Sequence, residues 1–128
     1  MPGSHAIRCE VNTIYLRIRG AIEESDISLL IDLGNGLAEH HGQYWLLVYA
    51  HEMTTITSEA RRLAVKNPLL RNLGGGAVVG ANLATRTILT LIARAMNLLG
   101  GHHVRFTFVP TEAEAKTWLL AQQSAQSS

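Results

Sequence analysis

The chain has 128 residues, of which 47% are hydrophobic and 16% are charged. This length is typical of one domain with its own core. The 11 basic and 10 acidic residues nearly balance, which argues against a nucleic-acid-binding protein with a broad basic face. No signal peptide or long apolar run is evident. We therefore expect one cytoplasmic domain over 1–128 without a transmembrane segment, with flexible ends at 1–5 and 123–128.

Apolar and polar residues alternate in two stretches near the N-terminus, at 7–11 and 14–18. Successive side chains of a strand point to opposite faces, so each stretch predicts a strand with one buried face. The two strands are expected to form a β-hairpin. Cys9, the single cysteine, falls on the predicted buried face. The predicted outer face carries three arginines: Arg8, Arg17 and Arg19.

The period changes to helical spacing over about 25–41, where Ser25 is expected to cap the first turn. Residues 44–50 are continuously apolar, which predicts a central strand covered on both faces. Thr57 is expected to cap a second helix, which the Asn-Pro pair at 67–68 ends.

The second half of the chain continues the alternation of strands and helices. A short strand is predicted at 77–79 after three glycines, followed by a helix at 83–99 that Asn82 caps. A strand at 104–108 and a helix opened by Thr111 complete the chain. The order β-β-α-β-α-β-α-β-α predicts an α/β fold, in which four helices pack on a mixed, mostly parallel sheet of about five strands.

Three stretches carry a family resemblance: YWLLVYAHEMTTITSEARR at 44–62, GAVVGANLATRTILTLIARAMNLLGG at 76–101 and VRFTFVPTEAEAKTWL at 104–119. Together with the element order they resemble the STAS domain, the fold of bacterial anti-sigma-factor antagonists. The likeness is greatest to the SpoIIAA-like branch of small stand-alone bacterial proteins, which are sometimes compared with lipid-transfer domains. It implies a bacterial, non-catalytic regulatory module that works through protein–protein contact.

The resemblance also implies a regulatory site. In STAS antagonists a kinase phosphorylates a serine at the start of the helix after the central strand, which switches partner binding. That position falls on Ser58, which Thr57 precedes in place of the usual Asp and Glu59 follows. The alternative is that Ser58 is an ordinary residue in a capped first turn, where Ser and Thr are favoured.

The helix predicted at 83–99 has an unusually wide apolar side. At about 100° per residue its apolar and small residues fill an arc of about 220°, more than packing on one sheet requires. Leu89, Ala93 and Met96 are expected to extend beyond the main core contact. A neighbouring helix, a second copy of the chain in a homodimer, a hydrophobic ligand or a membrane surface would then cover them. In the membrane interpretation, Arg86 and Arg94 would meet anionic head groups.

A hydrolase-like site is a further alternative. His51 and Glu52 come at the carboxyl end of the central strand, where sites of α/β proteins form. No nucleophile stands beside them in the sequence, so we do not expect an enzyme. The adjacent histidine pairs at 40–41 and 102–103 lack the spacing of metal ligands, and we predict no metal or cofactor.

Overall fold

The computed structural model describes residues 5–66, 72–100 and 104–127. The predicted end of the second helix at 67–68 and the histidines at 102–103 lie outside these residues. The described elements are β1 Ala6–Glu10, β2 Thr13–Ile22, α1 Glu24–His41, β3 Tyr44–Ile56, α2 Ser58–Lys66, β4 Leu73–Val79, α3 Leu83–Gly100, β5 Arg105–Val109 and α4 Glu112–Ser127.

The five strands form one mixed sheet in the order β1-β2-β3-β4-β5. β1 and β2 are antiparallel, and the other three pairs are parallel. The predicted fold class, element order and hairpin are therefore confirmed. The stretch 123–127, for which the sequence suggests a flexible tail, continues helix α4.

The N-terminal hairpin differs from the prediction at its edge. β1 is an edge strand, and Cys9 is exposed rather than part of the core. β1 pairs only with β2, so its side chains lack a neighbouring strand on one side. On β2 the prediction holds: Ile14, Leu16 and Ile18 are buried on one face, while Arg17 and Arg19 are exposed on the other.

The core lies on both faces of the sheet, because β3 and β4 are covered on both sides. One cluster joins the sheet to α1, α2 and α3, and a smaller one joins it to α4. Tyr44 and Trp45 begin β3 and point into different clusters. Ala115 and Leu119 of α4 complete the smaller cluster.

The two central strands are longer than predicted. β3 continues beyond residue 50 to Ile56, and β4 begins at Leu73 rather than after the three glycines. The absence of a side chain is needed at these glycines because neighbouring groups come very close to the strand. A Cβ at Gly75 would overlap the carbonyl oxygen of Arg105, and one at Gly76 would overlap the Phe106 ring. Here glycine marks close packing rather than a turn.

Helix capping confirms the expected starts of α2, α3 and α4. The side-chain oxygens of Thr57, Asn82 and Thr111 accept hydrogen bonds from backbone N–H groups three residues later, at 3.2, 2.8 and 3.3 Å. At α1 the predicted cap is wrong. Glu23 is the N-cap, in a capping box with Asp26, and Ser25 lies within the helix.

Helix α1 approaches the sheet closely at Gly34. A Cβ at this position would overlap the Tyr44 ring, so the helix can pack here only without a side chain. The Tyr44 hydroxyl is buried without a hydrogen-bond partner among the described residues. Burial also raises the pKa of this phenol above its ordinary value of 10.0, because the charged form loses its hydration.

Substituting Gly34→Ala should lower the free energy of unfolding by about 1–3 kcal/mol, because the added methyl group must displace the Tyr44 ring. Gly36→Ala is the matched control. It lies in the same helix with nothing within 4 Å of the added Cβ, and should stabilise by about 1 kcal/mol. Urea denaturation measures both. Equal effects of the two substitutions would contradict the packing argument.

Substituting Tyr44→Phe should raise the free energy of unfolding by about 1 kcal/mol at neutral pH, because it removes a buried hydroxyl that has no hydrogen-bond partner within the described part of the chain. The gain should grow above pH 10. There the unfolded wild-type phenol loses its proton while the folded one keeps it, so wild-type stability falls by about 1.4 kcal/mol per pH unit from this group.

Denaturation of both proteins from neutral to alkaline pH tests this difference. Tyr15→Phe is the control, since the Tyr15 ring is half-buried rather than buried. The interpretation would be wrong if the wild type and Tyr44→Phe lost stability in parallel above pH 10.

Candidate functional site

The first candidate surface begins where strand β3 passes into helix α2. The Thr57 N–H donates to the carbonyl oxygen of Ile22 at 3.0 Å, which fixes the start of α2 to the end of β2. Thr57 Oγ1 accepts the Ala60 N–H at 3.2 Å. Thr57 is therefore occupied as a structural cap, while Ser58 beside it is exposed.

Ser58 lies at the edge of a basic surface on α2. Arg61 Nη2 donates to Ser58 Oγ at 3.2 Å. We call this the α2 surface; it is an open depression of about 460 Å³ lined by Ser58, Arg61, Arg62, Val65 and Lys66. Glu59 is the one acidic residue of the helix, and its Oε1 lies 3.9 Å from Arg62 Nη2.

This arrangement favours negative charge at Ser58. The first turn of a helix presents unpaired N–H groups and the positive end of the helix dipole. The Arg61 guanidinium already contacts the Ser58 hydroxyl, so it could pair with a phosphate attached there. A phosphate at this exposed position would neutralise part of the basic α2 surface.

The α3 candidates lie on different sides of the helix. Met96 and Ala93 are 2% and 9% exposed, and Leu89 packs on the main core. The expectation that Met96 and Leu89 extend beyond the core is therefore wrong, whereas Ala93 is buried but belongs to neither core cluster. Arg86 and Arg94 are exposed, and the Arg86 guanidinium carbon lies 5.4 Å from the centre of the Phe108 ring.

The apolar residues of α3 that the core leaves uncovered lie at the edge of the apolar arc that is opposite to Leu89 and Met96. Leu83, Leu91 and Leu98 are 77%, 56% and 85% exposed. At about 100° per residue they fall within an arc of about 80°, which also includes Arg94. Helical periodicity gives the width of an apolar arc but not its rotation against the sheet. The sequence therefore misses these leucines.

Leu89 and Met96 contact a cavity of about 90 Å³ that lies between the sheet and helices α1, α2 and α3. Every described residue that lines it is apolar. Ala64 provides the contribution of α2, and Ala60 beside it is also buried. These two alanines are the only fully buried residues of α2. Because their side chains are small, space remains between α2 and the sheet. Ala93 does not line the cavity.

His51 and Glu52 do not act as a pair in the structure. Both are exposed, and Glu52 Oε2 lies 3.0 Å from Arg19 Nε, so its carboxylate is held in an ion pair. The His51 ring lies against Gly80, where a Cβ would overlap it. Within 5–66, 72–100 and 104–127, no three His, Cys, Asp or Glu side chains cluster closely enough to hold a metal ion.

His5 belongs to the predicted flexible start, but its side chain is only 6% exposed. Its Nδ1 accepts the Arg19 N–H at 3.1 Å, so the proton of a neutral ring lies on Nε2. Nε2 lies 2.9 Å from the Ala21 carbonyl oxygen and 3.3 Å from Asp26 Oδ2. His5 thus joins the N-terminal segment to the first turn of α1.

The element order, the sheet and the serine that opens the helix after the central strand together define a STAS-like domain. The SpoIIAA-like family model matches residues 13–120, and the chain belongs to this family. The resemblance seen in the sequence is thereby confirmed. No curated protein sequence matches the chain.

Solved structures agree with this fold. The unphosphorylated anti-sigma factor antagonist SpoIIAA is 12% identical, with a TM-score of 0.58 over 91% of this chain and 97% of that one. An uncharacterized Shewanella loihica protein with a SpoIIAA-like fold is 15% identical, with a TM-score of 0.60 over 91% and 92%. Phosphorylated SpoIIAA of Bacillus is 10% identical, with a TM-score of 0.53 over 91% and 99%. At these identities the likeness establishes the fold.

None of the described helices combines the length and apolar character that a bilayer crossing requires.

Proposed function

We propose that the protein is a non-catalytic, cytoplasmic regulatory module that binds a protein partner through the α2 surface and the exposed leucines of α3. The observation that carries the proposal is the contact between Ser58 Oγ and Arg61 Nη2 at the exposed start of α2. It joins a hydroxyl that can accept a phosphate to a cation that would hold it. Membership of the SpoIIAA-like family supports the same interpretation.

The two parts of the proposed contact surface adjoin each other. Helices α2 and α3 pack side by side. The α2 surface offers three basic side chains, Arg61, Arg62 and Lys66. Helix α3 adds exposed leucines, the largest apolar side chains that it leaves uncovered. An apolar region rimmed by charge is the usual composition of a protein interface. Phosphorylation of Ser58 would change the charged part and leave the apolar part unchanged.

Substituting Ser58→Glu should weaken partner binding about tenfold, because it places a negative charge beside Arg61 where acidic groups of the partner would otherwise bind. The fold should persist, since an acidic residue in a first helical turn stabilises by about 0.3–1 kcal/mol. Affinity capture with the full chain, followed by titration of the captured protein, measures the effect.

Ser58→Ala and Ser25→Glu are the matched controls. The first removes the hydroxyl without adding charge, and the second adds charge at an exposed serine in the first turn of α1. Both should bind the partner as the wild type does. Unchanged binding by Ser58→Glu would refute the proposed switch. Co-purification of a small molecule in the absence of any protein partner would count against the function itself.

A second candidate function is the binding of an apolar ligand, and the cavity beneath α2 favours it. The described residues of its lining are all apolar and offer no partner to water, so an apolar molecule is the expected occupant. A volume of about 90 Å³ suits a short alkyl group or a molecule of similar size rather than a whole lipid chain. Leu89 and Met96 contact it, as ligand-contacting residues would.

Substituting Ala64→Leu should abolish binding of a small apolar probe such as xenon, because the larger side chain fills the cavity. Leu89→Ala should instead enlarge the cavity and increase uptake, at a cost of about 2–5 kcal/mol in stability. Ala113→Leu, an exposed site on α4, is the control. Methyl NMR shifts on xenon titration measure uptake.

Equal uptake by Ala64→Leu and the wild type would exclude this cavity as the binding site. Extraction of the native protein into organic solvent, followed by mass spectrometry, then identifies any bound natural ligand. Recovery of no apolar molecule would remove the second candidate function and leave the first intact.

A further inference from the structure

A second exposed surface lies on the outer face of the sheet, opposite α2 and the cavity. Helix α4 packs mainly on β3, β4 and β5, which leaves the hairpin side of this face open. An open groove of about 320 Å³ lies there. We call it the arginine–tyrosine groove; it is lined chiefly by Ala6, Arg8, Tyr15, Arg17, Tyr49 and Glu112.

Strand register pairs each arginine of the groove with a tyrosine. Arg8 lies opposite Tyr15, and Arg17 lies opposite Tyr49. The guanidinium carbons lie 4.0 and 4.7 Å from the centres of these rings. A cation over an aromatic face is held by the ring quadrupole, so both guanidinium groups are positioned before any partner arrives. Their N–H donors remain suited to a carboxylate.

The charges of the groove are unevenly balanced. Arg8 forms an ion pair with Glu10, and the Tyr49 hydroxyl donates to Glu112. Arg17 is exposed and takes part in none of the ion pairs formed among the described residues. Its charge and its donors are therefore available to a partner. Ala6, beside Arg17 on the edge strand, is too small to cover it.

We propose that the arginine–tyrosine groove binds an acidic segment of a protein partner, with a carboxylate of the segment paired to Arg17. Charge complementarity selects the carboxylate, because Arg17 offers parallel N–H donors in the geometry that a carboxylate matches. The rings of Tyr15 and Tyr49 supply contact area that a free anion would not use. Tyrosine and arginine are also among the residues enriched at the binding hot spots of protein interfaces.

This interface lies on the other side of the sheet from Ser58 and goes beyond the regulatory contact proposed above. The protein would then hold two partners at once, or two parts of one partner. Loss of the α2 contact leaves the groove unchanged, so the two proposals fail independently.

Titration of the full chain with a short oligo-glutamate peptide, followed by amide NMR shifts, tests the proposal. Shifts should concentrate at Arg8, Tyr15, Arg17 and Tyr49, and an oligo-lysine peptide should cause none there. Arg17→Gln should weaken binding by roughly tenfold, the effect of losing a charged hydrogen bond. Arg105→Gln removes an exposed arginine on β5, at the opposite edge of the sheet and outside both proposed surfaces, and should change binding little.

Glu112→Gln should have the opposite effect on the affinity for oligo-glutamate. It removes the carboxylate of the groove, so binding of oligo-glutamate should strengthen by about threefold. Equal weakening by Arg17→Gln and Arg105→Gln would overturn the proposal, since it would indicate non-specific charge attraction. The absence of shifts at the groove residues, with shifts only elsewhere such as α2, would overturn it as well. So would inorganic phosphate that reproduces the same shifts at the same concentration, because the site would then be one for small anions.

Discussion

The structure depends on one packing constraint: β3 and β4 must be covered on both faces while helix α1 and the adjacent strands lie very close to one another. Tyr44 and Trp45 point to opposite sides at the start of β3. Each large ring packs where a neighbouring residue has no side chain, Gly34 on α1 and Gly74 on β4. Protein interiors are packed like organic crystals, so these glycine contacts fix how near the helices and strands can lie. One cluster includes α2 and the other includes α4, so the two candidate surfaces lie on opposite sides of the sheet.

Helix α2 combines two features because it is short and turns small residues inward. Its fully buried positions, Ala60 and Ala64, do not fill the space above the sheet, and the apolar cavity remains beneath them. Its outer side carries Ser58 and the basic residues that follow. The proposed regulatory contact and the proposed ligand site therefore act on the same nine-residue element.

Sequence reasoning predicted the elements well, because alternation and helical spacing are local properties of the chain. It failed where a result depends on tertiary contacts. Cys9 follows the alternation of a buried face but lies on an edge strand. The wide arc of α3 was correctly recognised, yet its rotation exposes Leu91 and Leu98 and buries Met96. The cavity could not be predicted, since it results from side chains of nearly every element meeting imperfectly.

The hairpin arginines show how one sequence pattern can carry two interpretations. Charged residues on an edge strand prevent pairing with other chains, and this alone accounts for Arg8 on β1 but not for Arg17 on the internal strand β2. It does not require each arginine to lie over a tyrosine of the next strand, as Arg8 and Arg17 do. Stacking reduces the mobility of both guanidinium groups, which a purely protective charge does not need. The geometry therefore favours recognition over protection at Arg17, the one groove arginine that forms no ion pair among the described residues.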